Sequence, residues 1–264
     1  MTQQVRFGPA GIGGAKDAVQ NLNHFKKIGI KAAEVEFTYG VKMHIDDAKR
    51  IGDEAKKLDI RLSVHAPYYI NLASEDLKIR EASKKRILEA CERAHYFSRE
   101  KSRVVFHAAY YGKYSKEECY DIVKKAIIEM QAIIKKKKWN AILAPETTGK
   151  ATQFGDLDEL LKLHKETGCF LCIDFAHILA REQKIDYKKI FDKIKGIKDL
   201  HAHFSGIEYT SKGERRHLIT PITKLLELLR WIKRYNISIT IINESPSPLL
   251  DSIKGLKIWN SIPR

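Results

Sequence analysis

Short apolar runs alternate with longer stretches of helical period along the whole chain. QVRFG (4–8) reads as a strand, and AKDAVQNLNHFKKIG (15–29) as a helix with Val19, Leu22 and Phe25 on one face. AAEVEF (32–37) and IDDAKRIGDEAKKLD (45–59) repeat the pair. RLSVHA (61–66) with a helix over 74–100, and SRVVFH (102–107) with a helix over 115–138, are the third and fourth. NAILAPE (140–146) precedes DLDELLKLHKE (156–166), and CFLCID (169–174) precedes a helix near DYKKIFDKI (186–194). DLHAHF (199–204) leads through a polar stretch, SGIEYTSKGERRHL, read as a 14-residue loop, to PITKLLELLRWIKRY (221–235). NISITIINE (236–244) and SPLLDSIKGLKIW (247–259) complete the series. Eight strand–helix units imply a parallel sheet closed into a single (β/α)8 TIM barrel, an α/β domain covering 1–264. An open doubly wound sheet is the alternative. GPAGIGG lacks the helix start and distal acid of a dinucleotide fingerprint.

The strand ends carry the chemistry. His65, His107, Glu146, Asp174, His203 and Glu244 close six successive apolar runs, and His177 follows three residues after Asp174. An acid at the end of a buried strand needs a cation, a proton or hydrogen bonds to offset its desolvation. In a barrel these ends form one rim, where active sites lie. The polar loop adds Glu208, Glu214 and His217 to that rim. Imidazole with carboxylate suits zinc, manganese or iron, and the number of groups exceeds the needs of one catalytic zinc. Taken singly, a histidine at a strand end is more often structural; six ligand-type residues at six successive strand ends are not explained that way. Glu36 and His44 carry no more than the structural reading. His24, His95 and His164 read as helix surface or capping residues, whereas His201 shares a strand face with His203.

Composition changes this picture in two places. The formal charge of +15, from 48 Lys and Arg against 33 Asp and Glu, favours a polyanionic partner such as nucleic acid. A solvated surface explains any one cluster, KKKKW at 135–139 included. Cys169 and Cys172 spell C-x-x-C, but inside a strand residues three apart face opposite ways, so a structural role is expected. No secretory leader and no apolar run long enough to span a membrane is read, which makes a soluble cytoplasmic protein without membrane contact the expectation.

SVHAPYYINLAS, VVFH, APETTG, CIDFAH, HFSGIEY, the RRH of the following loop and NESP occur in this order. Together they resemble the endonuclease IV family of apurinic/apyrimidinic endonucleases, from the third strand to the eighth. The resemblance implies a xylose isomerase-like barrel with up to three Zn2+ ions, Mn2+ and Fe2+ being the other metals the donors suit. It implies a DNA repair enzyme that acts on double-stranded DNA, and a monomer is the expectation. The reaction is hydrolysis of the phosphodiester 5′ to an abasic site, by attack of a metal-bound hydroxide, leaving a 3′-hydroxyl. Carried over by position, His65 and His107 hold one zinc and Glu146 bridges it to a second, which Asp174, His203 and Glu244 complete. His177 and His217 hold the third, and Glu146 is the residue on which catalysis centres. The family has an Asp two residues before its last His. Here Arg215 stands in that place, so Glu214 is the nearest acid, with Glu208 or water as the alternative, and the planar donor fork of Arg215 is read as facing DNA phosphates. Tyr68 matches an aromatic wedge, Asn71 a residue fixing the wedge loop, and Lys42 a basic DNA contact. Two other readings fit part of the pattern. A one-metal sugar isomerase or epimerase needs only Glu146, Asp174, His203 and Glu244, and a non-catalytic DNA-binding barrel needs no open ion cluster.

Overall fold

The computed structural model describes residues 3–263. Strand–helix pairs run β1 (Val5–Pro9) and α1 (Ala18–Lys27), β2 (Ala32–Glu36) and α2 (Ile45–Leu58), β3 (Arg61–His65) and α3 (Leu77–Ala94). They continue with β4 (Ser102–Phe106) and α4 (Lys116–Lys137), then β5 (Ala141–Pro145) and α5 (Leu157–Thr167). After β6 (Cys172–Asp174) come two short helices, α6 (Phe175–Glu182) and α7 (Tyr187–Lys193). β7 (Leu200–Phe204) is followed by a hairpin of β8 (Gly206–Thr210) and β9 (Gly213–Leu218), then α8 (Ile222–Arg234). β10 (Ile239–Asn243) and α9 (Pro248–Ser261) end the series. The stretch read as a polar loop is therefore an antiparallel hairpin, and the sequence reading passed over α6 altogether.

Parallel pairing runs β1–β10–β7–β6 on one half and β2–β3–β4–β5 on the other. Single bridges, Ala10 to Glu34 and Glu146 to Cys172, join the halves and close the (β/α)8 barrel. Alternation then sorts each strand. Phe7, Val35, Leu62, Val64, Val104, Phe106, Leu143, Ile173 and Ile241 pack outward, in one core with buried residues of the surrounding helices. Inside, the apolar part is small, with Val105, Ala144 and Cys172 packed together and Phe170 against them. Cys169 joins the outer core and Cys172 the inner one, so the C-x-x-C pair is split across the strand. All four cysteines are buried and unpaired.

The interior thus holds two polar zones. At the N-terminal end Arg61 and Arg103 reach Asp199 at 2.5 and 2.7 Å, and Arg6 lies 3.6 Å from it. At the C-terminal end the strands deliver acids and imidazoles. Local signals hold the helices that frame this end. α4 and α5 start in capping boxes, Ser115 with Glu118 and Asp156 with Glu159. His95, which closes α3, accepts from Asn140 N–H, and His164 in the last turn of α5 bonds the Cys169 carbonyl, so each ties a helix end to a connecting segment. Among the described residues no helix is long and apolar enough to cross a membrane.

Candidate metal centre

Asp174 shows how the local sequence builds the site. It ends β6 and caps α6 at once, its Oδ1 accepting from Ala176 N–H at 2.6 Å and His177 N–H at 2.9 Å. The chain turns from strand to helix without a loop, so His177 in the first helical turn faces the mouth beside its own cap. Asp174 Oδ2 is left over, buried and without a hydrogen-bond partner.

Around that point the sequence-predicted residues converge. His65 Nε2 and His107 Nε2 lie 3.2 and 3.0 Å from Glu146 Oε2. His203 Nδ1 lies 2.8 Å from Glu146 Oε1 and 3.3 Å from Glu244 Oε1. His177 Nδ1 is 3.3 Å from Asp174 Oδ2, and His217 Nε2 is 3.8 Å from Glu244 Oε2. Donor atoms within 4.8 Å of one another form three overlapping groups in the mouth: His65, His107 and Glu146; Glu146, Asp174, His203 and Glu244; and Asp174, His177 and His217.

The imidazoles are oriented by their outer nitrogens. His65 Nδ1 faces the Ala66 carbonyl at 2.8 Å and His177 Nδ1 the Thr147 carbonyl at 3.0 Å, so both Nδ1 atoms donate. His217 Nδ1 donates to Ser205 Oγ at 2.6 Å, because that hydroxyl is itself spent on the Gly206 carbonyl. In all three the Nε2 lone pair is turned toward carboxylates. Lone pairs facing carboxylate oxygens repel unless positive charge sits between them. Glu146 Oε1, Asp174 Oδ2, His203 Nδ1 and Glu214 Oε2 are buried with no hydrogen-bond partner. Orphaned donors of these types fit divalent cations such as zinc.

The electrostatics point the same way. Burial disfavours charge on Glu244, yet the facing His203 holds its carboxyl down to about 2. Burial would also lower His65 and His177, but Glu146 pushes the first up to about 10 and Asp174 the second up to about 9. The carboxylates draw positive charge into the mouth, whether as protons or as metal.

Glu214 reaches the site through a bulge. Tyr209 pairs with Glu214 and Glu208 with Arg216, which leaves Arg215 as an extra residue in β9. Residues three apart on a regular strand face opposite ways. The extra residue returns Glu214 and His217 to one face, where Glu214 Oε2 lies 3.1 Å from His177 Nε2 and the His217 ring 5.3 Å from the His177 ring. Arg215 and Arg216 are exposed and reach Glu208 at 3.4 and 2.7 Å, so Glu208 faces away from the donor groups. Two glycines make room. A Cβ on Gly149 would stand 2.0 Å from Glu214 Oε2, and Gly213, at φ +100°, would put one 2.3 Å from the Gly149 carbonyl.

The expected DNA contacts are placed unequally. Tyr68 and Tyr69 are 58% and 63% exposed beside the mouth, the Tyr68 ring edge-on to His65 at 5.9 Å. Lys42 is exposed after β2. Asn71 turns inward, its Oδ1 accepting from Ala73 N–H at 3.2 Å and Tyr110 N–H at 3.3 Å, and thus ties the wedge loop to the one after β4. The sequence reading missed Ser205, which orients His217, and Glu34. That acid is fully buried between His201 and His203. Its signal was present, since AAEVE puts two acids on one face of an otherwise apolar strand.

The chain is 39% identical over 273 residues to the uncharacterized protein MJ0133 of Methanocaldococcus jannaschii, covering 97% of each. It is 28% identical over 223 residues to a protein of Mycoplasma mobile named "Probable endonuclease 4", covering 79% of this chain and 76% of that one. Among solved structures, SacUVDE superposes with a TM-score of 0.74 at 13% identity over 98% of both chains. A D-tagatose 3-epimerase-like protein gives 0.72 at 18% identity, over 97% of this chain and 96% of that one. These likenesses to solved structures establish the fold alone. Residues 22–259 match the family described as xylose isomerase-like TIM barrel, and the chain belongs to that family.

Proposed function

We propose that this barrel is a metal-dependent DNA repair endonuclease that hydrolyses the phosphodiester 5′ to an abasic site in double-stranded DNA and leaves a 3′-hydroxyl. The carrying observation is the overlap of three donor groups through Glu146 and Asp174, a number of donors that one ion does not require. His65, His107 and Glu146 would hold one zinc, and Glu146, Asp174, His203 and Glu244 a second. His177 and His217 would hold a third, with Glu214 taking the place of the family's aspartate. When bound, the ions supply Lewis acidity that withdraws charge from a phosphoryl oxygen and acidifies water.

The chain's own residues have separate tasks in this reading. Glu146 presents one oxygen to His65 and His107 and the other to His203, which keeps the two halves of the centre at a fixed spacing. Tyr68 and Tyr69 offer exposed rings on which bases flanking an extruded sugar would stack, worth roughly 1–3 kcal/mol per base. Lys42, Arg215 and Arg216 would meet phosphates, and the +15 charge suits a DNA partner. A relative named "Probable endonuclease 4" supports the reading. We take the protein to act as a one-domain monomer.

A second reading, a one-metal sugar epimerase, is favoured by the self-sufficiency of Glu146, Asp174, His203 and Glu244 and by the epimerase-like fold neighbour. It leaves His65, His107, His177 and His217 without work. Elemental analysis of the purified protein separates the two readings. About three ions per chain support the endonuclease, and about one supports the epimerase.

A further inference from the structure

Glu34 sits in the middle of β2, fully buried, between two fully buried imidazoles. His201 Nε2–H donates to its Oε2 at 3.0 Å. Its Oε1 lies 2.8 Å from His203 Nε2. The other ring nitrogen of His203 faces Glu146 and Glu244. Glu34 therefore touches the edge of the His203 ring opposite the donor cluster, and cannot share a cation with Glu146 and Glu244.

We propose that Glu34 is a positioning residue of the metal centre, keeping the proton of His203 on Nε2 so that the Nδ1 lone pair is always presented to the ion, with His201 anchoring the carboxylate from behind. The proposal rests on the metal reading above but not on the DNA substrate. Its physical core is the short contact between Glu34 Oε1 and His203 Nε2. The two atoms are not aligned as a hydrogen bond, but two lone pairs at that separation in a dry interior repel, so the tautomer with its proton on Nε2 is the favoured one. Nδ1 is then unprotonated in the neutral ring and points at two carboxylates. A carboxylate behind a ligating imidazole fixes its tautomer and strengthens it as a donor. His201 supplies the second half of the device. Without its hydrogen bond, Glu34 Oε2 would be a buried acceptor with nothing to accept from, and the carboxylate would be free to rotate away.

The same residues allow a competing arrangement. Cys172, His201 and His203 also offer donor atoms within 4.8 Å of one another, so an ion bound there would compete for both histidines. Cobalt-loaded protein distinguishes the two, because a thiolate-to-cobalt charge-transfer band requires Cys172 as a ligand.

The test is retention of metal by wild-type and Glu34→Gln protein against graded chelator, read by elemental analysis, with the melting temperature of the metal-stripped forms alongside. The proposal expects the variant to hold one ion about 10–100-fold more weakly. It also expects the weakening of that ion to exceed what any fall in the stripped variant's melting temperature explains, since Glu34→Gln also gives up the carboxylate's pairing with His201 and His203. Equal retention would overturn it. So would a fall in the stripped melting temperature that accounts for the lost metal, or a thiolate band in cobalt-loaded wild type. If Glu34→Gln does not fold, His201→Gln leaves the carboxylate in place and should show a smaller loss of the same ion; no loss would overturn the proposal. A wild type that retains no ion at all would overturn the metal reading and this proposal together, which is decided before any variant is made.

Discussion

Glu214 Oε2 lies 3.1 Å from His177 Nε2 because β9 carries one extra residue, Arg215, between Glu214 and His217. The bulge compensates for the displaced acid: three residues of spacing on a bulged strand present the same face as two on a regular one. Glu214→Ala should therefore lower bound metal by about one ion per chain and slow cleavage. Arg215→Asp in that background should not restore the ion, since the Arg215 side chain reaches Glu208 and not the mouth. Elemental analysis of the single and double variants checks both statements, and recovery of the ion in the double variant would refute the bulge argument.

Gly149→Ala should reproduce the Glu214 defect from a neighbouring loop. The added methyl would occupy the space of the Glu214 carboxylate, which must then swing away from His177. We expect loss of about one ion with a melting temperature of the stripped protein close to wild type. Full metal content in this variant would mean that Glu214 does not contribute.

Asp199 should matter for stability and not for metal. It is the shared partner of Arg61 and Arg103, and burial, which would raise its carboxyl, is outweighed by those guanidiniums, which hold it below the usual value. A carboxyl depressed in the folded state stabilises above the unfolded pKa and loses that contribution as pH falls through the folded value. Asp199→Asn should thus cost roughly 1–3 kcal/mol at neutral pH, less than a fully buried pair because Asp199 is partly exposed and Arg61 keeps Glu100 as a partner, with Arg103 losing its carboxylate. The difference from wild type should shrink below about pH 4. Urea melts across pH test this, and a gap that widens in acid would contradict it.

Arg215→Gln with Arg216→Gln should weaken DNA binding and flatten its salt dependence. Each phosphate contact contributes about 0.9 to the slope of log affinity against log salt, so the pair should remove between about one and two. Both side chains are exposed and are also drawn to Glu208, which is why the smaller figure is admissible. An unchanged slope in filter-binding or anisotropy titrations would place the DNA elsewhere.

The strand ends were legible in the chain because buried strands of four or five apolar residues ending in His, Asp or Glu leave little else for those side chains to do. His65, His107, Glu146, Asp174, His203 and Glu244 converge in the mouth as that pattern required. The β8–β9 hairpin was not legible: its strands are polar and exposed, so no apolar alternation marks them, and the bulge at Arg215 breaks what alternation there is. α6 was hidden because Asp174 ends the strand and caps the helix with no intervening loop. Glu34 escaped because an acid in mid-strand looks like a surface residue until barrel closure makes that face the interior.

The most direct test of the whole reading is cleavage of a labelled duplex containing one abasic site, by zinc-loaded and by metal-stripped protein whose ion content has been measured. The account predicts a single cut on the 5′ side of the site, a 3′-hydroxyl that a polymerase can extend, loss of cutting on stripping and its return with zinc. An intact duplex in the presence of protein carrying its full complement of ions, or undiminished cutting by protein shown to carry none, would contradict it.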